Sequence, residues 1–142
     1  MFRILVVFVA IALPLLSATC FAAVLEVVVV GLKNQKGDVH IAIYNTAEHF
    51  PYQEGVLHEA KAPIFGNVAR LKFKDLTPGA YAAAIYHDEN FNHEFDQGLF
   101  GIPLEDYGFS NNASVFLSPP SFEEAMFQLK NPTTTIVIDL NK

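Results

Sequence analysis

The chain has 142 residues, 15 acidic against 9 basic, for a net charge of −6, with one cysteine and no tryptophan. That length fits one ordinary domain. The acidic balance argues against nucleic acid, whose binding needs Lys and Arg to neutralise phosphates, and against anionic membrane surfaces, leaving cations, neutral glycans and other proteins as partners.

Residues 1–22 have the build of a secretory leader: Met1-Phe2-Arg3 supplies a positive charge, Ile4 to Leu16 is apolar apart from Pro14, and Ser17 to Ala23 is mostly small. The apolar core, about 13 residues, is short of the roughly 20 that span a bilayer as a helix. Cleavage after Ala22 would leave residues 23–142 as a cysteine-free β domain in the periplasm or outside the cell, with no transmembrane segment. Ser17-Ala18-Thr19-Cys20 resembles a lipoprotein box, so lipid anchoring at Cys20 is the alternative. Losing Arg3 takes the net charge from −6 to −7.

Leu25 to Val30 is apolar on both faces and ends at Gly31; Asn34 to Asp38 is rich in turn residues. Val39, Ile41 and Ile43 then alternate with His40, Ala42 and Tyr44, the period of a half-buried strand. These two runs are expected to pair as a hairpin. Asn45 to Phe65 is less regular, with Thr46 placed to cap one helical turn before Pro51. Val68 to Lys74 puts Ala69, Leu71 and Phe73 inward and Arg70, Lys72 and Lys74 outward. Thr77-Pro78-Gly79 turns the chain into the apolar strand Tyr81 to Tyr86. Ala113 to Leu117 reads as a short strand and Ser121-x-x-Glu124 as a capping box. Met126 to Lys130 and Thr133 to Leu140 close the chain as two strands joined at Asn131-Pro132. About seven strands with one or two helical turns make an all-β domain, a single antiparallel β-sandwich.

The segment from His87 to Asn112 carries the chemistry. Asp88-x-Asn90-x-Asn92-x-x-x-Asp96 sets short oxygen-bearing side chains at alternate positions with a carboxylate four further on. That spacing lets one tight loop wrap several oxygens around a hard cation such as Ca2+. No Lys or Arg lies between Asp75 and Leu129, whereas Asp88, Glu89, Glu94, Asp96, Glu105, Asp106, Glu123 and Glu124 do. Such a field favours a bound cation. The candidate ligands are Asp88, Asn90, Asn92, Glu94, Asp96 and Glu105. The competing readings are another metal, or an ion-free polar turn whose Asx side chains bond their own backbone.

His87 and His93 suit zinc, copper or nickel; otherwise His87 is a strand-end residue bonded to the loop. His40, His49 and His58 read as surface residues. Phe91, Phe95, Phe100, Tyr107, Phe109, Phe116 and Phe122 crowd the same region, either as faces that stack on sugars or as the packing of a core without Trp. Glu105 and Asp106 are adjacent and so point to opposite faces of an extended chain, which argues against a glycosidase pair. Neither a nucleophile elbow nor a phosphate-binding Gly-rich loop occurs, and no catalytic set is recognised.

Gly79-Ala80-Tyr81-Ala82, His87-Asp88-Glu89-Asn90, Gly101-Ile102-Pro103, Tyr107-Gly108-Phe109-Ser110-Asn111-Asn112 and Pro120-Ser121-Phe122-Glu123 follow one another as in the bacterial family called domain of unknown function 2141, which the chain resembles over its mature length. The resemblance implies an exported protein with a prealbumin-like or immunoglobulin-like sandwich, and no particular activity. The family loop usually has glycines where this chain has Phe91 and His93. EF-hand-type loops place Gly at the sixth position and Glu at the twelfth; here those are His93 and Leu99, so Glu94, Glu105 or Asp106 would complete the set. The loop also looks like those in calcium-binding B repeats of Gram-positive surface adhesins, an analogy of fold alone. The expected role is a binding or envelope scaffold with a structural Ca2+. The rivals are a hydrolase resembling transthyretin-related hydroxyisourate hydrolases and a periplasmic copper or zinc carrier using His87 and His93. The hydrolases use a His/Arg/His set and a Tyr-Arg-Gly-Ser ending, whereas this chain's mature part has one arginine, Arg70, and ends Asp139-Leu140-Asn141-Lys142.

Overall fold

A computed structural model describes residues 22–141, so the leader and the Cys20 lipidation readings lie outside the described residues. The strands are β1 (Ala23–Val30), β2 (Asp38–Tyr44), β3 (His58–Phe65), β4 (Val68–Leu76), β5 (Gly79–Asp88), β6 (Tyr107–Phe109), β7 (Phe127–Leu129) and β8 (Thr133–Asp139); one helical turn, α1, spans Phe122–Ala125. No described helix is long and apolar enough to cross a membrane.

The strands join in the order β6-β5-β2-β3-β4-β1-β8, with β7 also paired to β5, in one mixed sheet that is nearly barrel-shaped. Its two ends meet at Gly108 of β6, where an added Cβ would lie 2.9 Å from Ile138 of β8. Two expectations are corrected. The sheet is not purely antiparallel, because β1 and β8 run parallel over Val24–Val30 and Thr133–Asp139. Nor do β1 and β2 form a hairpin: β1 pairs with β4 and β8, and β2 with β3 and β5. Parallel neighbours need a long connection, and almost the whole chain separates β1 from β8.

Alternation fills the interior. Leu25, Val27 and Val29 of β1, Val39, Ile41 and Ile43 of β2, Ala83 and Ile85 of β5 and Ile138 of β8 form the main core. Each such Val, Leu or Ile contributes about 1.5–3 kcal/mol. Ala69 and Phe73 of β4 face inward while Arg70, Lys72 and Lys74 are exposed, as the pattern predicts. A second cluster joins Tyr44, Phe50, Ala82, Phe109, Phe122 and Ala125. The Ser121 capping box is present, its hydroxyl accepting from the Glu124 N–H while the Glu124 side chain accepts from the Ser121 N–H. The 113–117 segment is a largely exposed loop, not a strand; β3 and β6 lie where none was expected.

Fully buried Ser110 links β5 to the end of α1: its hydroxyl accepts from the Ala83 N–H at 2.8 Å and donates to the Ala125 carbonyl at 2.5 Å. Ser110→Ala leaves both groups without that partner in the dry interior. It should lower the urea-unfolding free energy by about 2–4 kcal/mol, and a loss under 1 kcal/mol would contradict the bond's importance.

Candidate metal centre

β2 and β5 pair antiparallel, with Asp38 opposite Asp88, Val39 opposite His87 and His40 opposite Tyr86. Side chains alternate across a strand. Val39 and His87 therefore point inward with Ile41 and Ile85, while Asp38, His40, Tyr86 and Asp88 share the outer face. The chain leaving β5 folds back over that face: His93 donates its backbone N–H to Asp88 Oδ2 at 2.9 Å, and the Phe95 ring lies 5.5 Å from Tyr86.

The loop gathers most of the candidate oxygens. Asn90 and Asn92 each accept an N–H two residues on, from Asn92 at 2.9 Å and Glu94 at 3.0 Å. Their amide nitrogens donate to the two oxygens of Asp96 at 2.6 and 2.8 Å. Glu105 braces both ends, one oxygen accepting from the Glu89 N–H at 3.3 Å and the other from Asp96 N–H at 3.1 Å. Asp88 is fully buried, and its Oδ1 has no hydrogen-bond partner. Asp88, Asn90, Asn92, Asp96 and Glu105 thus belong to one hydrogen-bonded structure. The carboxylate of Glu94 is not among those bonds. Phe91 and His93 hold φ values of 60° and 66°, a left-handed conformation that costs a side-chain-bearing residue about 1–2 kcal/mol.

Two carboxyls respond in opposite directions. Burial pushes Asp88 up, but the N–H donors of His93, Phe91 and Asn92, together with His40, outweigh it and bring the group below its ordinary value. Burial raises Glu105, Asp96 and Asp88 add repulsion, and its two N–H donors only partly offset this. Burial, then Glu59, Asp88 and other nearby carboxylates, raises Tyr86, so it remains a neutral hydroxyl.

The histidines fall differently from expectation. His40, read as a surface residue, is 2% exposed. It stacks on Tyr86 with ring centroids 4.5 Å apart, while its Nδ1 sits 2.8 Å from the Tyr86 hydroxyl and 3.4 Å from Glu59. His40 Nε2 lies 3.2 Å from Asp38 Oδ1 and 3.4 Å from Asp88 Oδ2 without a hydrogen bond to either. His93 Nδ1 stands 3.4 Å from Asp88 Oδ2 and 2.6 Å from the Lys61 ammonium.

His87 is buried on the inner face and bonds the turn before β2 rather than the 88–96 loop, through its Nε2 to the Lys36 carbonyl at 2.6 Å. A carbonyl only accepts, so Nε2 carries a hydrogen, while Nδ1 has no hydrogen-bond partner. That atom shares a small cluster with Glu89 and Asp106. The sheet therefore separates His87 from His93, and the pair expected for a copper or zinc carrier does not form. Asp38, His40 and Lys61 were missed. The available signal was Asp38-x-His40, two potential ligands on one strand face.

Glu105 turns into the loop, while Asp106 accepts from Lys33 at 2.6 Å, consistent with opposite faces. Phe109 and Phe122 belong to the core, whereas Phe91, Phe100 and Phe116 are exposed. His40, Tyr44, Glu59, Tyr86, Phe95 and Tyr107 line a groove on the outer face.

A family model described as "Uncharacterized protein conserved in bacteria (DUF2141)" matches residues 27–137. No curated protein and no solved structure matches the chain.

Proposed function

The chain belongs to the DUF2141 family of uncharacterised bacterial proteins, and from its own geometry we propose an exported binding or scaffolding domain of the cell envelope whose Asp88–Asp96 loop holds a structural Ca2+. The observation that carries this reading is the meeting of Asn90, Asn92 and Asp96 side chains beside fully buried Asp88. Short oxygen ligands on one tight loop suit a hard cation, and the field around them is negative. The ion would replace the two amide donors at Asp96 and rigidify the segment up to Glu105, presenting the loop face as the contact surface for a glycan or an envelope protein. The sandwich implied by the family resemblance is part of this reading, with β1, β4 and β8 on one side and β2, β3 and β5 on the other.

Calcium at 100-fold above its Kd should add about 2.7 kcal/mol, raising the melting temperature by roughly 10 °C over an EDTA-treated sample. Asp96→Ala should abolish that difference. Identical melting in calcium and in EDTA would sink the loop reading.

A further inference from the structure

Asp38 and Asp88 face each other across β2 and β5, and like charges placed directly opposite destabilise a strand pair. Between them sits His40 Nε2, buried and without a hydrogen bond. A histidine that merely fills a core would have both nitrogens satisfied. We propose that His40 Nε2, His93 Nδ1 and Asp88 Oδ2, with Asp38 Oδ1 beside them, form a site for one divalent transition-metal ion of the Zn2+ class.

Three features of the geometry point the same way. First, the separations fit. Four ligands at about 2.0–2.1 Å from a tetrahedral zinc stand about 3.3 Å from one another; here the adjacent pairs are 3.2 Å (His40 to Asp38), 3.4 Å (His40 to Asp88) and 3.4 Å (His93 to Asp88). The His40, Asp88 and His93 ligand atoms all lie within 4.8 Å of one another, a set of three that Asp38 adjoins through His40 without joining.

Second, the lone pairs are available. An ammonium can only donate, so the 2.6 Å contact from Lys61 shows that His93 Nδ1 carries its lone pair and already faces a cation. A metal ion would take that position and turn Lys61 out to solvent. On His40, Nδ1–H can donate to Glu59 or to the Tyr86 oxygen, leaving the Nε2 lone pair toward the metal. A carboxylate behind a ligating imidazole is the usual support in such sites.

Third, the donor chemistry selects the ion. Two imidazoles and a carboxylate suit zinc, copper or nickel better than calcium. The site shares Asp88 and His93 with the loop of the proposed function but uses none of Asn90, Asn92 and Asp96, and the Asp88 Oδ2 faces the histidines while its Oδ1 has no bond.

Zinc calorimetry and the visible absorption of bound Co2+ test this on the purified protein after chelator dialysis. One equivalent of Zn2+ should bind and displace Co2+ from a four-coordinate spectrum. His93→Gly removes a ligand at φ +66°, where glycine is favoured. The variant should melt no lower than the parent, yet bind zinc roughly 100-fold more weakly. His40→Gln should lose binding to the same extent. Asp96→Asn should keep zinc while losing the calcium response, so failure of the loop reading is distinguishable from failure of this one. No uptake by the parent would overturn the proposal. Unchanged zinc affinity in both histidine variants would overturn it equally.

Discussion

Gly37→Ala should destabilise the protein by roughly 2–5 kcal/mol and weaken any cation response, although Gly37 lies outside the 88–105 loop. Gly37 sits at φ +71°, and a Cβ added there would lie 1.7 Å from the Asp88 carbonyl oxygen, 2.6 Å from its carbon and 2.8 Å from Glu89 Cα. All three are backbone atoms, so no side-chain rotation relieves the clash. A left-handed Ala costs about 1–2 kcal/mol, and forcing a methyl into packed structure adds about 1–3. The turn cannot retreat freely, because the Lys36 carbonyl is the partner of buried His87. Gly66 provides the comparison: its φ is +58° with nothing within 4 Å of an added Cβ. Gly66→Ala should show the conformational cost alone. If urea denaturation gives the two variants equal losses, the close approach of the 34–38 turn to the root of the loop is wrong.

Asp88→Ala should cost about 2–4 kcal/mol, because the His93 N–H loses its charged, buried acceptor and the loop loses that tie to β5. The isosteric Asp88→Asn keeps an acceptor and should cost less, which separates the charge from the shape. The pH dependence carries the sign. A carboxyl whose folded pKa is lowered contributes stability that is present above its unfolded value, about 3.9, and is lost as pH falls through the folded value. Parent and Asp88→Asn should therefore differ most near neutrality and converge below about pH 4. Glu105 acts in reverse: its raised folded value means that protonation favours the fold, so its contribution is present below its unfolded value, about 4.3, and is lost as pH rises through the folded one. Unfolding curves across this range that keep a constant gap between parent and Asp88→Asn would show that the Asp88 charge is not held by the loop.

Two residues of the 88–96 loop hold backbone conformations that favour glycine. His93 adopts a left-handed conformation that glycine would take freely, and Phe91 does the same. The strain at His93 comes with contacts that only a side chain there can make, to Asp88, Lys61 and the His40 ring, whose centroid is 5.8 Å from that of His93. Phe91, by contrast, is exposed, and nothing in the structure explains its presence at a strained position.

Local patterns in the sequence determined what depends on neighbours along the chain. Alternation marked β4 and the inward residues of β2, the Ser121 and Glu124 spacing marked a real capping box, and Asn90, Asn92 and Asp96 marked a loop that does fold on its own side chains. The family could be recognised from five short motifs. Partner choice was not legible, because hydrogen bonds between strands look alike whichever strands they join; only the closing of the sheet put β8 beside β1 and sent β2 to β3 and β5. β3 escaped notice because exposed Pro63 and Phe65 break the polar outward pattern of Glu59 and Lys61, leaving inward Ala62 and Ile64 as the main clues. His40 shows the limit most plainly. On its own strand it occupies the polar side of an alternating pattern, which ordinarily faces water. It is buried because Tyr86 pairs opposite it and a loop more than forty residues away folds back across it. Burial and the meeting of ligands are properties of packing, and packing brings together residues that sequence spacing keeps apart.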